Sequence, residues 1–220
     1  MERREDIEDL LDWRFNQSYL QFLDSFDTLP TVPVIRGFET WSDKLDLHHR
    51  NIAPATVSVI VSRLPRLREF QGWLSDNERK DHSLRNKLRA DFAPTISLWP
   101  ASIKNLELEY VGWPPFNPSF QPLKRSEPGN DALSIALHSL SQQLTMLTLK
   151  NIMIAPELFW PPGLSAKSAP AWPKLTSFRL EYTIATPSGR WLFERDPRWV
   201  GATWDYEIDH KLDPENHRPE

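Results

Sequence analysis

A leucine pattern recurs along this chain and limits the folds that it can adopt. The pattern is L-x-x-L-x-L, followed within a few positions by another apolar residue. Its copies lie at 42–47, 64–70, 103–108, 144–149 and 175–180, of which the first begins with Ser42 and the second is distorted. Side chains alternate between the two faces of a strand, so the two leucines of L-x-L share one face. The pattern therefore predicts a series of strands that each bury one side.

Helical stretches separate these strands. Candidate helices cover 55–63, 78–98 and 131–140, and Pro54 suits the first turn of the first of them. Strands that alternate with helices indicate a parallel sheet joined by right-handed crossovers. A repeated strand-plus-helix unit is typical of a leucine-rich-repeat solenoid. We therefore predict an α/β fold, an irregular leucine-rich-repeat-like solenoid with a parallel sheet and flanking helices.

The spacing between copies is irregular. The strand residues used for this comparison are Leu45, Leu67, Leu106, Leu147 and Phe178. Their separations range from 22 to 41 residues, against roughly 20–29 in regular repeats of this kind. We predict three parts of the chain: an N-terminal helical segment at 1–30, a degenerate repeat domain at 31–204, and a frayed polar tail at 205–220.

Composition excludes several classes of protein. The absence of cysteine excludes disulfides, thiolate metal sites and cysteine nucleophiles. A net charge of -4 gives no electrostatic reason to expect nucleic acid or an anionic membrane as a partner. The charged start at Met1–Asp6 has no apolar run behind it, and no stretch approaches ~18 consecutive apolar residues. We therefore expect a cytoplasmic or nuclear protein.

No motif in the sequence fixes a reaction. The nucleophile elbow, the Walker loop and the dinucleotide-binding glycine pattern do not occur, and only seven glycines are present. His48 and His49 are adjacent, so on a strand they point to opposite faces. His210 lies with three other acidic or histidine residues in the polar tail without the spacing of a zinc site. We therefore predict no catalytic residue, no metal site and no cofactor.

The strand face opposite the leucines carries the candidate binding residues. These are Asp46, Glu107, Glu109, Thr148, Lys150, Arg179 and Glu181. In a repeat array this face is concave, and two interpretations stay open: a solvated surface, or a mixed-charge groove that recognises a partner. Two Trp-Pro loops, at 113–116 and 159–162, either cap the edge of the core or anchor a partner, since tryptophan is enriched at interface hot spots.

Several segments resemble a group of filamentous-fungal F-box or leucine-rich-repeat-like proteins. The segments are SRLPRLR at 62–68, SDNERKD at 75–81, LSQQLT at 140–145, PELFWP at 156–161 and TPSGRWLFERDP at 186–197. The resemblance implies a repeat domain that captures a client protein, while an N-terminal F-box docks on the Skp1 adaptor of a ubiquitin ligase. Residues 1–40 show no evident F-box, because Pro33 follows Leu29-Pro30 and blocks a helix.

These observations favour a protein–protein interaction module. It would be a substrate-recognition receptor of the F-box type, or the remnant of one. Two alternatives stay open: an α/β hydrolase-like enzyme, and a fragment of a longer F-box protein with no function of its own.

Overall fold

A computed structural model describes residues 19–20, 29–40, 51–76, 82–112, 121–163 and 172–193. Its strands are β1 (Tyr19–Leu20), β2 (Gly37–Glu39), β3 (Asn51–Ile52), β4 (Glu69–Ser75), β5 (Asn105–Val111), β6 (Met146–Ile152) and β7 (Ser177–Tyr182). Its helices are α1 (Pro54–Ser62), α2 (His82–Thr95) and α3 (Ala132–Ser141). Short 3-10 turns cover Ile96–Leu98 and Pro156–Leu158.

Five of the strands form one parallel sheet in the order β2-β4-β5-β6-β7. The order follows the order along the chain, so each new strand is added at the same side of the sheet. Strands β1 and β3 pair separately, also in parallel. The predicted α/β class, with a parallel sheet and flanking helices, is confirmed within the described residues.

One face of the sheet packs against the helices. Its central row is Phe38, Phe70, Leu106, Leu147 and Phe178, which are aligned across the five strands. Val57 and Val61 of α1, Phe92 of α2, and Leu133 and Leu137 of α3 belong to the same buried cluster as the middle of this row. Burial of these side chains on one side of the sheet is the main stabilising term of the fold.

The alignment corrects the predicted strand position at the second copy of the pattern. Phe70, not Leu67, stands in the central row, while Leu67 is buried just before β4 begins. Leu45 lies outside the described residues, and the first strand of the sheet carries Phe38. The central-row residues are consequently 32, 36, 41 and 31 residues apart. The spacing is more even than the predicted 22 to 41, and each unit is longer than a regular repeat.

A size exchange explains why β4 lacks leucines at these positions. Where β5 and β6 place Leu108 and Leu149, β4 has Gly72. A Cβ built on Gly72 would lie 2.8 Å from the ring of Phe70. The large ring therefore fills the space that a second leucine would occupy, and close packing of the core keeps the combined volume similar. A search for leucine alone does not detect this exchange.

The helix predictions agree with the structure in most positions. The predicted 55–63 and 131–140 correspond to α1 and α3. The predicted 78–98 corresponds to α2 and the 3-10 turn after it, while 78–81 falls outside the described residues. Pro94 lies in the last turn of α2, where its missing N–H ends the α-helical hydrogen bonding.

The N-terminal helix prediction is wrong at Tyr19–Leu20. These residues form β1, whose backbone pairs in parallel with Asn51 and Ile52. Pairing with a distant strand satisfies the same backbone groups as a helix would, so tertiary context overrides a helical spacing of apolar residues. The other residues of 1–28 and the predicted tail at 205–220 lie outside the described residues.

A buried ion pair ties two helices to the segment that follows β6. The guanidinium of Arg89 in α2 donates to both carboxylate oxygens of Asp131, at 2.9 and 2.7 Å, and to the carbonyl of Met153 at 3.0 Å. Asp131 also caps α3 by accepting from the backbone N–H of Ser134 at 3.0 Å. Both charged side chains are almost fully buried. One carboxylate thus serves as a helix cap and as the partner of a buried cation.

Candidate functional site

The candidate site is the side of the sheet that faces away from the helices, which we call the open face. Its central strands carry three aligned rows of side chains. The rows are Glu69, Asn105, Met146 and Ser177; then Glu39, Gln71, Glu107, Thr148 and Arg179; then Trp73, Glu109, Lys150 and Glu181. These side chains are exposed or half-buried, in contrast to the buried residues between them.

Six of the seven predicted site residues lie together on the open face. Glu107, Thr148 and Arg179 share one row, and Glu109, Lys150 and Glu181 share the next. Alternation along each strand brings them together, as the sequence pattern predicts. Asp46 lies outside the described residues, as do His48, His49 and the His210 group.

Glu107 is the centre of the polar network on this face. Its carboxylate accepts from Lys150 of β6 and from the amide of Gln71 of β4, the latter at 3.1 Å. The hydrogen bond from Lys150, followed by that from Gln71, lowers the pKa of Glu107 below its ordinary value. The same bond raises the pKa of Lys150. Three neighbouring strands are therefore joined across the open face by one carboxylate.

Glu109 is held in place by a residue with an unusual backbone. Asn151 has a φ of +51° and donates from its side-chain amide to Glu109 at 2.8 Å. The pairing of β6 with β7 shifts by one residue between Lys150 and Ile152, which is where Asn151 stands. Asparagine tolerates the left-handed region better than most residues, and such positions often concentrate at functional sites.

A groove of about 440 Å³ lies over the β2 side of the open face. The described residues that line it include the three carboxylates Glu39, Glu69 and Glu107, but no lysine or arginine. Gln71, Asn105 and Thr148 add amides and a hydroxyl, and Met146 adds an apolar side chain. The groove is therefore acidic, whereas the cations Lys150 and Arg179 lie toward β7.

Sequence reasoning missed the residues of β2 and β4 in this groove. The predicted strand leucine, Leu67, lies three residues before Phe70, and the strand predicted at Leu45 lies outside the described residues. The alternation Phe70-x-Gly72-x-Leu74 identifies β4 when aromatic residues and glycine are allowed at the buried positions. That interpretation would have placed Glu69, Gln71 and Trp73 on the open face.

The Phe159 loop packs at the β7 end of the sheet. Phe159 contacts Trp172 and Phe178 edge to face, with ring centroids 5.8 and 6.1 Å apart. Trp172 stacks on Phe178 at 5.6 Å. Trp160 beside them is 45% exposed. Phe159 thus covers the edge of the core while Trp160 faces outward; the Trp113 loop lies outside the described residues.

A second polar cluster, which the sequence did not indicate, is buried at the carboxyl ends of β4 and β5. Asp76 forms ion pairs with Arg125 and, at 3.7 Å, with Arg85. Burial, followed by the charge of Arg125, lowers the pKa of Arg85 to about 10. Burial also raises the pKa of Tyr110 well above its ordinary value. A Cβ on Gly112 would lie 2.7 Å from Asp76, so the cluster is tightly packed.

The histidine and aspartate of α3 are engaged in structural contacts. His138 in the last turn binds the carbonyl of Leu158 through Nδ1 at 2.9 Å. Asp131 precedes the first turn and binds Arg89 and Ser134. Among the described residues, no group of three or more histidine, aspartate or glutamate side chains is arranged to hold a metal ion. The helices in those parts of the chain are also too short or too polar to cross a bilayer.

Comparisons with family models, with curated proteins and with solved structures give no match to this chain. The resemblance to F-box and leucine-rich-repeat-like proteins therefore stays a prediction.

Proposed function

We propose that this chain is a protein-interaction module that binds a partner protein on its open face. The observation that carries the proposal is the arrangement of the sheet: a parallel sheet with helices on one side and three rows of mainly polar side chains on the other. A sheet face of this kind presents many side chains of fixed spacing to one ligand. Binding surfaces of repeat proteins are built in this way.

The backbone supports a repeat architecture of the leucine-rich-repeat type. The carbonyl of Arg36 accepts from the N–H groups of Arg68 and Glu69, at 2.7 and 3.1 Å. The carbonyls of Arg68, Lys104 and Thr145 each accept two N–H groups of the next unit in the same way. Each unit therefore enters the sheet through the same hydrogen-bonded turn, which favours descent from one repeated motif and an irregular solenoid as the overall form.

The chemistry of the groove favours a partner with basic or amide-rich segments. Glu39 and Glu69 are exposed, and Glu107 keeps part of its surface in the groove although it binds Lys150. Complementary charge steers association and selects among partners. If the module is a receptor of the F-box type, this client would be delivered to a ligase through the Skp1 adaptor in the cytoplasm or nucleus; a remnant would bind without delivery.

The test is capture of partners by tagged variants that differ only in the position of one charge reversal. Glu107→Lys and Glu39→Lys change the groove, whereas Asp91→Lys makes the same change on α2, where Asp91 is 47% exposed. A partner that binds the groove should be captured equally by the wild-type chain and by Asp91→Lys. Glu107→Lys should reduce the affinity for this partner about tenfold or more. Circular dichroism and urea titration must show that all variants fold.

The outcomes separate the candidate functions. Equal capture by all four proteins would contradict binding in the groove. Co-purification of Skp1 and a cullin would support the receptor, and a different partner that depends on the groove would support a stand-alone module. The fragment alternative predicts a broad urea transition and weak protection from hydrogen exchange in the purified chain.

A further inference from the structure

Among the described residues, the last strand of the sheet has a neighbouring strand on one side only. In β7, the N–H of Ser177 donates to Thr145 at 3.2 Å and that of Thr183 to Ile152 at 3.3 Å, so the odd-numbered backbone groups point toward β6. Backbone groups alternate along a strand, and those of Phe178, Leu180 and Tyr182 therefore point away from β6. Between Ser177 and Tyr182, no other strand in the described parts of the chain pairs with that edge, whereas beyond it the carbonyl of Ile184 accepts from the N–H of Leu192 at 2.9 Å. An edge of this kind is a template for another strand.

The sequence of β7 is complementary to itself when it is reversed about Leu180. Arg179 and Glu181 stand on either side of Leu180, on the open face. Phe178 and Tyr182 stand one position further out and are 37% and 52% exposed. An antiparallel partner with the same sequence would therefore set arginine against glutamate, and one aromatic ring against another. A two-fold symmetric contact requires this property, because residue i meets residue j and residue j meets residue i.

We propose that β7 pairs antiparallel with β7 of a second copy of this chain, around a two-fold axis at Leu180. The outward backbone groups then fall into register: Leu180 pairs with Leu180 of the second copy, and Phe178 with its Tyr182. These two pairs are hydrogen-bonded pairs. Arg179 of one copy and Glu181 of the other therefore form a non-hydrogen-bonded pair, in which the side chains approach more closely. The two five-stranded sheets become one continuous sheet.

Charge explains why the partner is a second copy and not an unrelated strand. Arg179 and Glu181 bind each other at 2.5 Å in the single chain and are 67% and 42% exposed. In the dimer each of them gains a partner of opposite sign across the axis, so two ion pairs form per dimer. Opposite charges placed across a strand pair stabilise it, and like charges destabilise it. This surface is separate from the groove, and its occupation requires no client.

The test uses the purified full chain and measures its mass by light scattering and sedimentation equilibrium over a range of concentrations. One six-residue strand pair is a small contact, so we expect a dissociation constant on the order of 10 µM. In the dimer, position 179 of each copy faces position 181 of the other. Arg179→Glu or Glu181→Arg alone therefore creates two like-charge contacts and should weaken association about tenfold or more. The double variant Arg179→Glu/Glu181→Arg restores opposite charges and should restore the dimer.

Leu180→Pro adds a variant that does not depend on charge. It removes an outward N–H that β6 does not use, and proline is tolerated at such edge positions. It should give a monomer with an unchanged sheet signal in circular dichroism. A wild-type chain that is monomeric up to about 200 µM, well above the expected constant, would overturn the proposal. A dimer that both single reversals leave intact, or that the double variant fails to restore, would do the same.

The dimer test and the capture test are independent. Loss of client capture by Glu107→Lys concerns the groove, and the purified chain needs no client to associate. Failure of one proposal therefore leaves the other standing.

Discussion

The buried pair between Arg89 and Asp131 allows the sharpest quantitative prediction. Asp131→Ala removes two interactions at once, because the carboxylate caps α3 and neutralises a buried guanidinium. Loss of an N-cap costs about 1 kcal/mol. An arginine left without its partner in a site where it is only 4% exposed costs about 3–5 kcal/mol. We expect Asp131→Ala to lower the free energy of unfolding by about 4–6 kcal/mol, a large part of the roughly 5–15 kcal/mol of a typical domain.

Two further variants separate the two terms. Asparagine and aspartate are equally good N-caps, so Asp131→Asn keeps the cap and should cost about 1 kcal/mol less than Asp131→Ala. Arg89→Met removes the cation while keeping an unbranched apolar side chain. In that background Asp131→Asn should cost much less than in the wild-type chain, because no buried cation is left unpaired.

The measurement is urea unfolding followed by circular dichroism, with the midpoint and the slope determined for each variant. An unchanged slope indicates that the difference in midpoint reports stability. The reasoning would be refuted if Asp131→Asn were within about 0.5 kcal/mol of the wild-type chain, the range of an ordinary surface substitution. It would also be refuted if Asp131→Asn cost the same with and without Arg89.

The assigned faces, one glycine and one carboxylate give three other predictions. Leu147→Ala should lower the free energy of unfolding by about 2–5 kcal/mol, because Leu147 is 1% exposed. Its neighbour Met146 is 45% exposed on the open face, so Met146→Ala should change that free energy by no more than about 0.5 kcal/mol. Equal losses in urea titration would contradict the assigned faces of β6. Gly112→Ala should lower the free energy of unfolding by about 1–3 kcal/mol, because its Cβ would lie 2.7 Å from the buried carboxylate of Asp76. Gly37→Ala is the control, because a Cβ at Gly37 would have no heavy atom within 4 Å. Glu107 has a pKa in the folded chain below its unfolded value, so its contribution to stability is present above the unfolded pKa and is lost as the pH falls through the folded pKa. Between pH 6 and pH 3, roughly the range of carboxylate titration, the wild-type chain should therefore lose more stability than Glu107→Gln, and parallel pH profiles would contradict the hydrogen bonds at Glu107.

The leucine pattern predicted the position of the candidate site at β5, β6 and β7, and its alternation with helical stretches predicted the parallel sheet. The strands β5 and β6 keep leucine at both buried positions, as in Leu106-x-Leu108, so the residues between them could be assigned to the opposite face. The reason is geometric: side chains alternate with a period of two, and one buried row fixes the direction of every other residue. Helices α1 and α3 were predicted as the segments between strands, and Pro54 suits the start of α1.

The first half of the sheet depends on tertiary contacts that the sequence pattern does not show. Phe70 and Gly72 replace two leucines in β4, and their complementarity of volume becomes visible only when the ring is seen in the space above the glycine. Tyr19–Leu20 extends because a partner strand lies beside it, not because of its own sequence. Asp76 and Arg125 are 49 residues apart in sequence and meet only at the end of the sheet. Local periodicity indicates which side of a strand or helix is buried. Which strands and side chains contact each other depends on distant parts of the chain.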